Sequence, residues 1–596
     1  MKNQTKWDLS PLCEKDVNVE AEFKKFNNKA NKFIKKWKDR KDYLENTAVL
    51  KEALDEYEVW IKSFGEFGDI GYYAYLKSEL NKNDPEIKTL CNNCHTLATE
   101  INNNIRFFEL NIAKIKIEKQ KEFLKSPLLK DYKHFLEKLF AGSKYLLSEK
   151  EEQILALTSK SAHSNWVRMI SEFLSKEERL VLTESGKKEI KNETELVSMM
   201  SSKNKRVRDN AAIAMNDIIG KFHEIAVHEI NSILENKEVS DKLRDLDKPY
   251  LERHILNDID SNTIETLTNT VSKHNKIAKD YYKLKAKLLK TDKLEYHERN
   301  VPYGKIDTKY PYEKSINLVK EVFDKLDPEF GTILRSFSEN GQIDVFPKKG
   351  KEGGAFCFMD TSKNSTYILL NHQDELGDVT TIAHEAGHGI NNELIKKSQN
   401  DLNVETPIST AEVASTFMED FVLQEILKTA DDETKLSIMM EKLNSDISTI
   451  FRQIACYKFE VALHNTHKEK GYLSGTEIDK LFDKEMKSYM GNYVKTDDDS
   501  AKWWVTWPHI RSFFYVYSYA SGLLISKSLQ NKVKQDKTFI KDVKKFLSTG
   551  TARSPKDIFK ELGIDITQES FWELGIKEVE QLLKDTERLA KKLKKI

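Results

Sequence analysis

A mainly α fold carrying one small antiparallel sheet is what this sequence predicts, and three observations predict it. Only 11 prolines and 22 glycines punctuate 596 residues, which leaves room for long helices. Apolar residues recur at helical spacing over 15–60, 85–125, 127–176, 205–237, 261–290 and 311–330. Near residue 340 the texture changes, with Gly341, Gly350, Gly353 and Gly354 clustered around Pro347. There Ala355-Phe356-Cys357-Phe358-Met359 and Thr366-Tyr367-Ile368-Leu369-Leu370 flank the polar turn 360–364. Short apolar and aromatic runs about such a turn predict an antiparallel hairpin. From 378 onward the helical pattern returns and holds almost to the end.

A chain this long exceeds one small core and divides into domains or lobes. The N-terminal part reads as almost wholly helical to about residue 195. Glu184-Ser185-Gly186 and the polar run Ser201-Ser202-Lys203-Asn204-Lys205 suggest a break there. The expected domains are therefore 1–195, helical, and 196–596, which holds the candidate metal ligands described below.

Composition excludes several classes. Lys+Arg and Asp+Glu both number 96, so the formal net charge is zero; a nucleic-acid partner calls for a basic excess. The lysines of 582–596 alternate with Glu and Leu, as on the solvated face of a helix. No apolar run is long enough to cross a bilayer, and the first ten residues lack the apolar core of a signal peptide. These features predict a cytoplasmic protein with no membrane partner. The five cysteines, Cys13, Cys91, Cys94, Cys357 and Cys456, are too few for a disulfide framework and fit a reducing compartment. Cys91-Asn92-Asn93-Cys94-His95 has haem-attachment spacing, but it sits in a long helical stretch and reads as helix packing.

The strongest local signal is His384-Glu385-Ala386-Gly387-His388. Residues four apart share a helix face, so two imidazoles can converge on one ion. The flanks supply the helix: Asp378 as N-cap, then Val379, Ile382, Ala383, Ala386, Ile390 and Leu394 as an apolar stripe. His384 and His388 lie off that stripe, and Glu385 beside them can reach a water on the metal. Gly387 and Gly389 each cost about 1 kcal/mol of helix propensity relative to Ala. Small residues there suit a crowded site where substrate or another helix approaches closely. The same pattern also arises as two ordinary histidines on an exposed face, so other features must add to it.

An active zinc site needs a third protein ligand and an open position. Glu412 opens a second helical segment 24 residues beyond His388 and is the expected ligand. Ser409-x-x-Glu412 also reads as a capping box. Glu419, two turns on, could orient one of the histidines from outside. The hairpin before the motif could offer an edge strand to an extended peptide, with Gly353-Gly354 allowing close backbone approach. Further on, His509 is followed by Tyr515, Tyr517 and Tyr519. Such a run usually belongs to a core, but a His and several Tyr could also supply donors to the oxyanion of a tetrahedral intermediate.

With these residues in view, the sequence resembles oligoendopeptidase F, a bacterial branch of the thimet-type oligopeptidases, over nearly its whole length. The resemblance is carried by Trp7-Asp8-Leu9-Ser10, by Gly353-Gly354-Ala355-Phe356-Cys357, and by the 384–388 motif. Glu412-Val413-Ala414-Ser415 with Glu419, and Pro508-His509 with Phe514-Tyr515-Val516-Tyr517-Ser518-Tyr519, complete it. It implies one Zn2+ per chain held by His384, His388 and Glu412, with Glu385 as general base on the metal-activated water. It implies catalytic help from His509, with Tyr515, Tyr517, Tyr519 and Gly354 contacting substrate. It also implies a large, two-lobed, zincin-like body with a deep channel that admits short unfolded peptides, 1–195 forming part of the wall and 196–596 the catalytic domain. Two positions depart from related patterns: Phe514 stands where an alignment on His509 expects a tyrosine, and Thr416 stands where thermolysin-like enzymes carry an Asp.

The implied activity is hydrolysis of internal bonds in oligopeptides. An exopeptidase would need a group to clamp a free terminal carboxylate, commonly Arg, and Arg511 and Arg452 are the residues to weigh. A silent peptide-binding scaffold has no use for a general base between two metal ligands.

Overall fold

The computed structural model of the chain describes residues 3–13, 19–66, 68–306 and 308–596; positions 15–18 of the first expected helical segment lie outside them. The protein is predominantly helical, as the spacing predicts, with two small sheets where one was expected. It forms two compact units, each built from three stretches of chain. The first comprises Met1–Lys144, Asp307–Lys428 and Lys532–Ile564; the second comprises Tyr145–Ile306, Thr429–Asn531 and Asp565–Ile596. This spatial division differs from a single cut at 195. Residues 145–195 belong with the second unit, and the first unit takes in segments from the middle and end of the chain.

In the first unit the expected long segments are broken where a capping residue offers the backbone an alternative. Asn46 accepts from the Ala48 and Val49 amides and starts Thr47–Phe64. Asp84 caps Pro85–Ile105, with proline in the first turn. Cys94 on that helix is buried in the aromatic and aliphatic core with Phe23, Trp37, Trp60 and Phe108, while His95 is exposed. The cysteine pair thus packs a helix, which accounts for its spacing.

The expected hairpin forms: Phe356–Phe358 pairs antiparallel with Tyr367–Leu369, Cys357 opposite Ile368. A third strand, Ile343–Asp344, was not foreseen; it pairs parallel on the far side of Tyr367–Leu369. Two residues are too short for the alternation that reveals a strand. Phe356–Phe358 is consequently an edge strand among the described residues. Alternation divides the sheet: Tyr367 and Leu369 face a cluster with Trp7, Leu9, Tyr72 and Leu76, against which Phe356 and Phe358 also pack. The opening segment fastens this face. Trp7 donates its indole N–H to the Ile368 carbonyl at 2.8 Å, Tyr367 donates its hydroxyl to the Asp8 carbonyl at 2.8 Å, and the Asp8 amide donates to Gly341 at 2.7 Å.

In the second unit, residues 178–192, expected to be helical, form a hairpin: Glu178–Leu182 pairs antiparallel with Lys188–Asn192. The turn between them has Gly186 at φ 79°, a conformation open to glycine. Glu184-Ser185-Gly186, one of the two segments that suggested a break, lies in this turn. Helix Lys205–Leu243, capped by Asn204, runs through the unit and buries Glu229 among its apolar residues. Among the described residues, no helix is long and apolar enough to cross a membrane.

Trp7 sits against the sheet beside the motif helix, so Trp7→Ala should cost about 3–5 kcal/mol of stability. Denaturant unfolding of the two proteins measures the difference; a loss below about 1 kcal/mol would mean the opening segment does not brace the sheet.

Candidate metal centre

The motif lies on helix Leu376–Ser398. Its start is a capping box set by Glu375, with Asp378 as the reciprocal partner rather than the cap itself: the Asp378 carboxylate accepts from the Glu375 and Gln373 amides, each at 2.8 Å. Val379, Ile382, Ala383, Ala386, Ile390 and Leu394 are all buried, as the stripe predicts. The helix is tied to its surroundings from two sides. Asn391 donates to the Leu547 carbonyl at 2.6 Å, and Glu393 accepts from Thr366 at 2.8 Å and Lys396 at 2.7 Å.

The second helix, Ala411–Thr429, crosses the first at Gly387. A Cβ at 387 would lie 2.7 Å from Ser415 Cα and 2.8 Å from the Ala414 carbonyl oxygen. Both atoms are backbone and cannot swing aside, so glycine is what permits the approach. At Gly389 a Cβ would lie 2.5 Å from the Phe337 ring. The two glycines therefore serve packing, against a helix and a buried aromatic ring.

This crossing brings Glu412 to the histidines. Its Oε2 lies 3.4 Å from His384 Nε2 and 3.7 Å from His388 Nε2. The ligand atoms of the three residues fall within 4.8 Å of one another. The Ser415 hydroxyl donates to the same Glu412 oxygen at 2.9 Å; one turn along the helix, it orients the carboxylate. His384 Nδ1 faces Glu419 Oε2 at 3.3 Å. An Nδ1–H donated there leaves Nε2 free as a ligand atom.

Electrostatics sharpen the picture. Burial lowers the basicity of His384, but hydrogen bonds to Glu412 and Glu419 outweigh it and raise its pKa to about 10. Burial takes His388 down to about 4, against the pull of Glu412. Glu412 is opposed by burial yet held down to about 2 by His384 and His388. Glu385 is buried, which pushes its carboxyl up to about 7; the His384 charge works against that. Three carboxylates thus surround two imidazoles, a donor set and charge suited to zinc. A second group with ligand spacing, Asp209, His297 and Glu298, differs in kind. Glu298 takes Arg208 at 2.7 Å and Asp209 takes Lys205 at 2.9 Å, so its carboxylates are already neutralised.

Gly354, ahead of the edge strand, has φ 70° and open space where a Cβ would stand. In the second unit, the His509 Nδ1 and the Tyr515 hydroxyl are hydrogen-bonded, and the Tyr519 ring lies 5.9 Å from the His509 ring. Tyr515 and Tyr519 are partly exposed. Tyr517 does not fit the expectation of substrate contact: it is fully buried, and its hydroxyl accepts from Asn257 at 2.6 Å. Phe514 is likewise core. Arg511 is committed elsewhere, donating to both Glu229 carboxylate oxygens at 2.6 and 2.7 Å while buried, so it cannot clamp a peptide terminus. Arg452 is half-buried on the turn Ser448–Arg452. Ser415 is a site residue the sequence reading passed over, although its i+3 spacing from Glu412 carries the signal.

Comparison with known proteins places this arrangement. The profile of peptidase family M3 matches residues 198–578, and one described as oligopeptidase F matches 111–176. The chain belongs to peptidase family M3. This M3 chain is a metallopeptidase. It is 27% identical to an oligoendopeptidase F homolog of Borreliella burgdorferi over 95% of both chains. It is 25% identical to oligopeptidase PepF of Bacillus subtilis, over all of this chain and 88% of that one. In fold it matches a crystal structure described as a putative peptidase from Chlamydophila abortus, with a TM-score of 0.85, 21% identity and 99% of both chains covered. It also matches oligoendopeptidase-F from Enterococcus faecium, with a TM-score of 0.71, 20% identity, and 96% of this chain and 99% of that one covered. The M3 match begins at 198, while the spatial units of this M3 chain divide elsewhere.

Gly387→Ala must push the two helices of the site apart. The variant should keep its helical circular dichroism but bind zinc at least about tenfold more weakly, by competition with a chromogenic chelator. Glu419→Ala should weaken zinc about 10–100-fold, as loss of an orienting partner does. Unchanged affinity in either variant would disconnect that contact from the metal centre.

Proposed function

We propose that this M3 peptidase is a zinc-dependent oligoendopeptidase that cleaves internal bonds of short unfolded peptides, with Glu385 as general base. The observation that carries the reading is the convergence of His384, His388 and Glu412, with Glu385 buried beside them. His384 and His388 through Nε2, and Glu412 through Oε2, would hold one zinc ion per chain. When bound, zinc supplies a Lewis acid that acidifies water and polarises a carbonyl. Glu385 takes a proton from the attacking water at its carboxylate and passes it to the departing amine. Its raised proton affinity, near neutrality, suits both transfers.

The His509–Tyr515 pair is assigned to supply a donor to the oxygen that gains negative charge. Their mutual hydrogen bond supports this, because either placement of its proton leaves one donor over: His509 Nε2–H, or the Tyr515 O–H. Burial keeps His509 less basic than usual, so it acts as a neutral imidazole. Tyr519 beside them and Gly354 at the edge strand are assigned to substrate binding. The edge strand Phe356–Phe358 can pair with the extended backbone of a peptide, which favours internal cleavage without a terminal clamp. Catalysis is assigned to 196–596, which contains each of these residues. The five free cysteines suit a cytoplasmic location.

The test is an internally quenched peptide blocked at both ends. Cleavage should stop on chelation and return on addition of zinc. Glu385→Gln should retain one zinc per chain and lose at least about a thousandfold in kcat, consistent with loss of the proton-transfer group. Cleavage restricted to peptides with a free terminus would overturn the endopeptidase reading, and near-full activity of zinc-loaded Glu385→Gln would overturn the base.

A further inference from the structure

Between His509 and the tyrosines the backbone does something costly. Phe513 and Phe514 both adopt left-handed conformations, φ 53° and 58°. Bulky residues rarely do so even singly, and such outliers persist only where surroundings enforce them. The double turn joins the helical turn Pro508–Arg511 to helix Tyr517–Gln535 and folds Tyr515 back onto His509.

Three side chains from three other segments hold this turn by its backbone. Arg253, on helix Leu251–Leu256, donates from Nε to the Phe513 carbonyl at 3.0 Å and from Nη2 to the Ser512 carbonyl at 2.7 Å. His163 Nε2 meets the Arg511 carbonyl at 2.8 Å. Glu460, on helix Gln453–Lys470, accepts the Phe514 amide on Oε1 at 2.8 Å. Glu460 is fully buried, and its other oxygen has no hydrogen-bond partner. His464, one turn further along that helix, packs its ring on Phe514 at 4.5 Å and on Phe513 at 5.2 Å. A buried carboxyl with one oxygen unsatisfied is expensive, and stability alone would favour an apolar residue there. What Glu460 achieves is a fixed acceptor for one amide of the strained turn.

We infer that Glu460 and Arg253 are positioning residues for the reaction: they hold Phe513–Phe514 in the left-handed turn that sets the Tyr515 hydroxyl against His509. This rests on the proposed role of that pair. Neither residue touches substrate; both act through Tyr515. Charge near Glu460 is consistent with the arrangement, since Arg253 and Lys237 partly offset the burial that raises its carboxyl to about 8.

The experiment compares Glu460→Ala, Glu460→Gln and Arg253→Gln, each alone and combined with Tyr515→Phe, at equal zinc content. Glu460→Ala should lower kcat about tenfold with KM within about threefold, the signature of a misplaced group. Glu460→Gln keeps an acceptor for the Phe514 amide and should restore most of the loss. In the Tyr515→Phe background, Glu460→Ala and Arg253→Gln should change kcat less than about twofold, because the group they position is gone. Protein labelled with 3-fluorotyrosine gives an independent readout. The 19F line that disappears in Tyr515→Phe should shift in Glu460→Ala and in Arg253→Gln, and return in Glu460→Gln. If Glu460→Ala does not fold, Arg253→Gln, at a half-buried site, carries the same comparison. Equal kcat losses in both backgrounds, or an unmoved 19F line, overturn the inference. If Tyr515→Phe itself leaves kcat unchanged, the assignment of Tyr515 as donor fails, and the 19F line alone decides whether Glu460 and Arg253 position it.

Discussion

The candidate metal centre depends on how closely two helices can pass. Leu376–Ser398 and Ala411–Thr429 approach at Gly387 until backbone nearly touches backbone, leaving less space than a single methyl group needs. That distance puts Glu412 within reach of two imidazoles one turn apart on the facing helix. Everything else in the first unit maintains the crossing. The motif helix is anchored to the sheet through Glu393 and Thr366 and to the Leu547 carbonyl through Asn391. The sheet is in turn braced by the opening segment at Trp7 and Asp8. A helix with two glycines in its interior has little intrinsic stability; here tertiary packing supplies what propensity withholds.

Charge distinguishes this cluster from the other group with ligand spacing. Around 384, 388 and 412 three carboxylates, Glu385, Glu412 and Glu419, face two imidazoles. At Asp209, His297 and Glu298 the spacing is similar, but Lys205 and Arg208 already occupy the carboxylates. The first arrangement suits a divalent cation; the second is a closed ion-pair network. The same logic separates the two arginines considered as terminal clamps, since Arg511 is consumed by a bidentate pair with Glu229.

The second unit shows strain concentrated beside the hydrogen-bonded pair His509 and Tyr515. Two phenylalanines in left-handed backbone form one short turn next to that pair, and a buried carboxyl with an idle oxygen, Glu460 on a separate helix, accepts an amide of that turn. Each is unfavourable by itself, and the scaffold of Arg253, His163 and His464 surrounds both.

Much was legible in the sequence because it was local. A stripe at helical spacing, two histidines four apart, and apolar runs about a polar turn each express their geometry within a few residues, and the structure has the motif helix and the hairpin where those patterns lie. The helix start was legible to within three residues: Asp378, expected as the cap, is the N3 partner in the box that Glu375 begins. What the sequence left unread is decided by short elements and by contacts distant in sequence. The strand Ile343–Asp344 is too short to show a period. The hairpin at 178–192 looked like a boundary because turn residues mark both. The two units draw on segments hundreds of residues apart, which no window can see. Tyr515, Tyr517 and Tyr519 are alike in pattern, yet only folding against Asn257 buries the second and leaves its neighbours partly exposed. The sequence by itself determined which side chains could hold a metal and move a proton. Tertiary structure alone decided that Gly387 admits a helix, and which tyrosines remain at the surface, because both are questions of contact between distant parts of the chain.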